Sequence, residues 1–180
     1  MILIPLAKGF EEIEAVALID ILRRAEIDVL IGGVGALMIE GAHKIEIKAD
    51  VLISELNSTA LEMIVLPGGW GGTKALAEDA DVCRLLQEMN AKNKSIAAIC
   101  AAPYVLNKAG VLKHDFTCYP SVEKEIRQEG YVSDKNIVTD GNIMTSRGPG
   151  TVFEFALAIV EKLQGQETAK GLKNGMLISY

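Results

Sequence analysis

Apolar residues fall in short unbroken runs, separated by stretches with helical spacing. Residues 1–6, 27–34, 62–66 and 95–99 are continuous and rich in Ile, Val and Leu, the pattern of strands buried on both faces. Helical periodicity follows at 11–25, 71–91 and 101–109. Residues 43–48 alternate and predict one half of a hairpin with 35–39. Strands are predicted near 131–138 and 142–146, then a helix over 151–163. That helix has a start signal: Pro149-Gly150-Thr151, with Glu154 three residues after Thr151 as a capping box. Strands alternating with helices predict one α/β domain over 1–180, a three-layer sandwich around a mainly parallel sheet.

In such sheets ligands gather at the carboxyl ends of the strands, where strand order reverses. Three strand exits carry unusual residues. In the first helix Phe10, Ala17, Leu18, Ile21 and Ala25 share one apolar arc, at about 100° per residue. Glu14 falls in the middle of that arc, Glu11 at its edge and Glu12 on the opposite, solvent side. A carboxylate on a core-facing stripe is costly unless protonated or well hydrogen-bonded, so Glu14 is expected to be buried with a raised pKa. The second exit, Leu66-Pro67-Gly68-Gly69-Trp70-Gly71-Gly72, lets backbone amides approach an anion or developing oxyanion. It has no phosphate-loop spacing.

The third exit is Ser95-Ile96-Ala97-Ala98-Ile99-Cys100-Ala101-Ala102-Pro103. Cys100 sits where strand becomes helix, with small residues two before (Ala98) and two after (Ala102). Nucleophile elbows use that arrangement because bulky side chains clash in the turn. A helix start there is expected to favour thiolate through its free amides and dipole. Glu14 could then donate a hydrogen bond to the sulfur, with the Gly69 and Ala101 amides aimed at an oxygen beside it. A space-filling core cysteine remains the alternative.

Composition narrows the classes. Of the 180 residues 49% are apolar, enough for a substantial core, and the formal charge of −6 argues against nucleic acid as main partner. No stretch approaches the roughly 18 apolar residues of a membrane span, and residues 1–6 are too short for a signal peptide, so a cytoplasmic location is expected. Three cysteines, Cys83, Cys100 and Cys118, make a disulfide framework improbable there. Cys83 reads as a helix-face residue. His43 and His114 have no ligand-like spacing, and no metal site is expected.

The stretches Ala7-Lys8-Gly9-Phe10-Glu11-Glu12-Ile13-Glu14, Leu66-Pro67-Gly68-Gly69, Ala97-Ala98-Ile99-Cys100-Ala101-Ala102-Pro103 and Thr145-Ser146-Arg147-Gly148-Pro149-Gly150-Thr151 occur in this order. Together they resemble the ThiJ/PfpI or DJ-one superfamily, nearest its small dimeric, parkinsonism-associated deglycase branch. The resemblance implies a flavodoxin-like fold and a homodimer without cofactor. It gives Cys100 the reactive, peroxide-sensitive position, Glu14 the glutamate bonded to it, and Gly69 and Ala101 the amides beside the sulfur. Arg24 matches a family arginine near the site at the dimer interface. His43 falls where close relatives often carry an arginine from the partner subunit. Tyr119 stands where relatives with enzymatic chemistry carry a histidine before proline. A phenol with pKa near about 10 is a poor base at neutral pH, so Tyr119 is expected to shape the pocket, and a protease triad is not assured. His114, five residues away, reads as a loop residue.

Two functions follow. In one, Cys100 and Glu14 act on small reactive aldehydes such as methylglyoxal or on glycation adducts, as a glyoxalase or deglycase. In the other, the same cysteine is a redox sensor tied to a holdase chaperone role. A structural domain with a vestigial cysteine is a third.

Overall fold

The first apolar run forms β1 (Ile2–Leu6), buried at every position, and leads into α1 (Glu12–Arg24) and β2 (Val29–Gly33). A computed structural model describes residues 1–179. A separate antiparallel hairpin follows, β3 (Met38–Glu40) with β4 (Glu46–Lys48), then β5 (Val51–Leu52) and β6 (Met63–Leu66). Next come α2 (Trp70–Glu78), α3 (Ala80–Ala91), β7 (Ser95–Ile99) and α4 (Pro103–Lys108). The last part holds α5 (Glu123–Ile126), β8 (Ile137–Asp140), β9 (Ile143–Ser146), α6 (Val152–Gln164) and α7 (Gln166–Gly175).

The main sheet runs β5-β2-β1-β6-β7-β9-β8, and only β8 is antiparallel to its neighbour. Side chains alternate between its faces. Ile2, Ile4 and Leu6 join Phe155 and Ile159 of α6 and Leu18 of α1 on one face. Leu3, Ile64 and Ile96 join Leu85 of α3 and Leu106 of α4 on the other. This is an α/β fold with helices on both sides of a mostly parallel sheet. From β1 the chain moves outward to β2 and β5, then returns on the opposite side with β6. The carboxyl ends of β1, β6 and β7 therefore border the reversal point.

Several boundaries differ from the sequence expectation. The single helix of 71–91 is two helices, because Asp79 is extended and caps α3, its Oδ1 accepting the Val82 amide at 2.9 Å. Asp79→Ala is expected to cost about 1 kcal/mol in a denaturant titration. The strand of 131–138 is confined to Ile137–Asp140, with Tyr131 making one isolated bridge to Phe116. The capping box at Thr151 does not form. Its hydroxyl bonds Ser146 Oγ at 2.8 Å and Gly148 instead, and Glu154 reaches Asn136 at 2.9 Å. Among the described residues no helix is long and apolar enough to cross a membrane.

Candidate active site

Four loops close on one point. The Gly68 carbonyl accepts the Glu11 amide at 2.9 Å, and the Gly9 carbonyl accepts the Gly72 amide at 3.0 Å, tying the exit of β1 to the exit of β6. The Ala42 amide donates to the Phe10 carbonyl at 2.9 Å, which brings in the turn between β3 and β4. Glu11 caps α1, its Oε2 accepting the Glu14 amide at 2.7 Å. One step inside, Glu14 has no exposed surface. Its Oε2 accepts the Gly68 amide at 2.7 Å, while Oε1 accepts no conventional hydrogen bond and the carboxyl meets the Cys100 thiol.

Cys100 follows β7 directly, with φ 63° in the left-handed region that costs a side-chain-bearing residue about 1–2 kcal/mol. Two neighbours hold it there. Its amide donates to the Ser146 carbonyl at 3.0 Å, and its carbonyl accepts the Tyr119 amide at 2.9 Å. Ser146 is in turn fixed by Thr151, so the Thr145–Thr151 motif buttresses the cysteine, and its Pro149 also lines the pocket. The sulfur-bearing residue is 9% exposed. That exposure opens into a pocket of about 640 Å³ bounded by Glu11, His43, Gly69, Trp70, Cys100 and Tyr119, with Lys124 and Glu125 at its rim.

Burial pushes the Glu14 carboxyl up to about 7, against the pull of the Gly68 amide and the Cys100 thiol. Cys100 is raised as well, first by burial and then by the charge of ionised Glu14, while the Gly69 and Ala101 amides pull the other way. The expected thiolate standing on a helix end is therefore corrected. The sulfur is buried beside an acid, and α4 opens only at Pro103 and has six residues. The site holds a coupled pair instead. Below about 7 both groups carry protons, and above it the two share one. When that proton sits on Glu14, the thiolate faces two amides and a donor.

A family model described as DJ-1/PfpI matches residues 1–162. The chain is 41% identical to protein dj-1beta of Drosophila melanogaster, over 99% of this chain and 97% of that one. The chain belongs to the DJ-1/PfpI family. The crystal structure of the fly DJ-1beta superposes with a TM-score of 0.95 at 41% identity, covering 99% and 98% of the two chains. A Caenorhabditis elegans member named glutathione-independent glyoxalase DJR-1.2 is 36% identical over 96% of this chain and 92% of its own.

Against that family frame the remaining residues sort clearly. Tyr119 lies on the pocket wall, half-exposed, its ring packed over Gly148. His43 reaches the pocket from its own chain. Arg24 does not reach the sulfur within one chain. It lies ten residues beyond Glu14 on α1, about 15 Å along the axis, and pairs with Asp20 at 2.7 Å. Glu12 corrects its sequence reading as a solvent-side residue: the β3–β4 turn folds over it and buries it. His114 is in an exposed loop with Asp115, and Cys83 is half-buried on α3. Cys118 has no exposed surface, and burial pushes it up to about 12.

Among the described residues, ligand atoms of Glu11, Glu12 and His43 gather within 4.8 Å. Both carboxylates are already engaged, Glu11 by the Glu14 amide and Glu12 by His43, so the group is an internal hydrogen-bonded set. Trp70, Lys124 and Glu125 were not singled out by sequence. Trp70 carried a signal, as the one bulky residue in a glycine-rich exit.

Proposed function

We propose that the chain works as one cytoplasmic domain, paired with a second copy, that converts small 2-oxoaldehydes such as methylglyoxal into 2-hydroxy acids without a cofactor. Attack on early glycation adducts uses the same sulfur. One observation carries the reading: a fully buried acid, its carboxyl pushed up to about 7 by burial, beside a pocket-facing cysteine flanked by two amides. A general acid or base is most effective when its pKa lies near the working pH.

In this reading the Cys100 thiolate adds to the aldehyde carbon, and the aldehyde oxygen takes the proton held by Glu14. The Gly69 and Ala101 amides stabilise charge beside the sulfur. As carboxylate, Glu14 then removes the hydrogen from that carbon and delivers it to the neighbouring one, while the hydroxyl proton passes between the two oxygens. The hemithioacetal becomes a lactoyl thioester, which water releases as lactate. Tyr119, His43 and Trp70 shape the space in which this happens. The glyoxalase name of the worm relative favours aldehyde chemistry over the sensor reading. Ile13 and Val16, exposed on α1 at 56% and 49%, supply an apolar face for the second copy.

The test is lactate formation from methylglyoxal without glutathione. Lactate is expected to accumulate with the purified chain and to fall to background with Cys100→Ser. An unchanged rate in that variant overturns the proposal.

A further inference from the structure

The thioester needs a base that water can reach, and Glu14 has no exposed surface. On the pocket wall with Cys100 stands His43, whose side chain is 73% exposed. Its ring is not loose. Nδ1 lies 2.8 Å from Glu12 Oε2, and the backbone amide of His43 donates to Glu12 Oε1, so one buried carboxylate grips both ends of the residue. The turn is shaped for this grip: a Cβ on Gly41 would lie 2.3 Å from Glu12 Oε1. A hydrogen on Nδ1 facing the carboxylate leaves Nε2 with the free lone pair in the neutral ring.

We infer that His43, oriented by Glu12, is the general base that releases the acyl group from Cys100, an inference that rests on the aldehyde chemistry proposed above. Nε2 takes a proton from water as the water oxygen bonds to the acyl carbon. The tetrahedral intermediate then collapses, the C–S bond breaks and its electron pair returns to sulfur. The proton on His43 passes to that thiolate, so thioester and water become thiol and carboxylic acid with nothing left over.

The groups around the ring fit the role. Burial tends to raise Glu12, but hydrogen bonds from the His43 ring and amide outweigh it and keep the carboxyl below its usual range. The hydrogen bond to Glu12, then its charge and that of Glu11, raise His43 above its ordinary value. Lys124 and Glu125 face the same pocket from α5 with opposite charges. A stronger base aimed at the pocket is what water activation requires. Glu12 acts through His43 and is a positioning residue.

The test quenches methylglyoxal turnover with hydroxylamine, which turns a thioester into a hydroxamate but gives only an oxime with aldehyde released from a hemithioacetal, so the hydroxamate is the readout. In His43→Gln the steady-state rate is expected to fall about 100-fold, with a hydroxylamine-labile acyl group accumulating on Cys100. Imidazole is expected to restore release in His43→Ala. Glu12→Gln is expected to shift the rise of the release rate with pH to lower pH, because the group that raises His43 is gone. Wild-type turnover in His43→Gln without acyl accumulation, or failure of imidazole to rescue, overturns the role of His43 alone. Lactate formation that survives in Cys100→Ser instead removes the chemistry beneath it.

Discussion

Glu14→Gln is expected to slow lactate formation about 100-fold or more at pH 7 and to displace the pH profile of Cys100 alkylation. In the original chain Glu14 ionises at about 7 and its charge then opposes ionisation of the Cys100 thiol, so alkylation, followed by intact mass, should stay slow well above that pH. Glutamine neither ionises nor returns a proton. With that charge gone, burial alone holds Cys100 up, and the alkylation rise moves to lower pH than in the original chain while staying above the ordinary thiol range. An unchanged profile would separate the two residues chemically. The same substitution has a stability sign. Because burial raises the Glu14 pKa from 4.5 to about 7, the stability it contributes is fully present below 4.5 and lost as pH climbs through about 7, a change of about 3 kcal/mol. Relative to the original chain, Glu14→Gln should therefore gain about that much between pH 4.5 and pH 8 in paired denaturant titrations.

The second large effect is expected at Gly69. With φ 86°, this residue opens α2 in the left-handed region, and an added Cβ would lie 2.5 Å from both the Glu11 amide nitrogen and the Gly9 carbonyl oxygen. These are backbone atoms in the loops that hold Glu14, so neither side yields cheaply. Gly69→Ala should lose about 3 kcal/mol from combined backbone strain and overpacking. It should also move the amide that meets the Cys100 sulfur, lowering activity even in molecules that remain folded. Urea unfolding paired with initial rates checks both, and a variant with unchanged midpoint and rate would show that the two loops are not fitted to each other.

Unbroken Ile, Val and Leu runs made β1, β6 and β7 legible within a residue, because strands buried on both faces need no alternation. Glu14 was legible for the opposite reason, as one acid on an otherwise apolar arc. Helical periodicity also marked α1, but it placed Glu12 in solvent, since a single helix wheel cannot know that a distant turn will fold over its other face. The short α5, with Lys124 and Glu125 at the pocket rim, and the polar α7 had too weak an apolar stripe to stand out. The same gap hid the grip of Glu12 on His43, a contact between residues 31 positions apart. The proton balance of Cys100 was the harder matter. Local sequence pointed to a helix dipole, whereas burial depth and a charged neighbour decide the outcome, and both belong to the assembled fold.

Within one turn of α1, Glu12 and Glu14 point inward while Ile13 and Val16 point to water. Whatever covers Ile13 and Val16 leans on the same stiff rod that sets both carboxylates. In the proposed pairing, a substitution at Ile13 or Val16 would reach the pocket only by way of α1, the helix that carries both carboxylates.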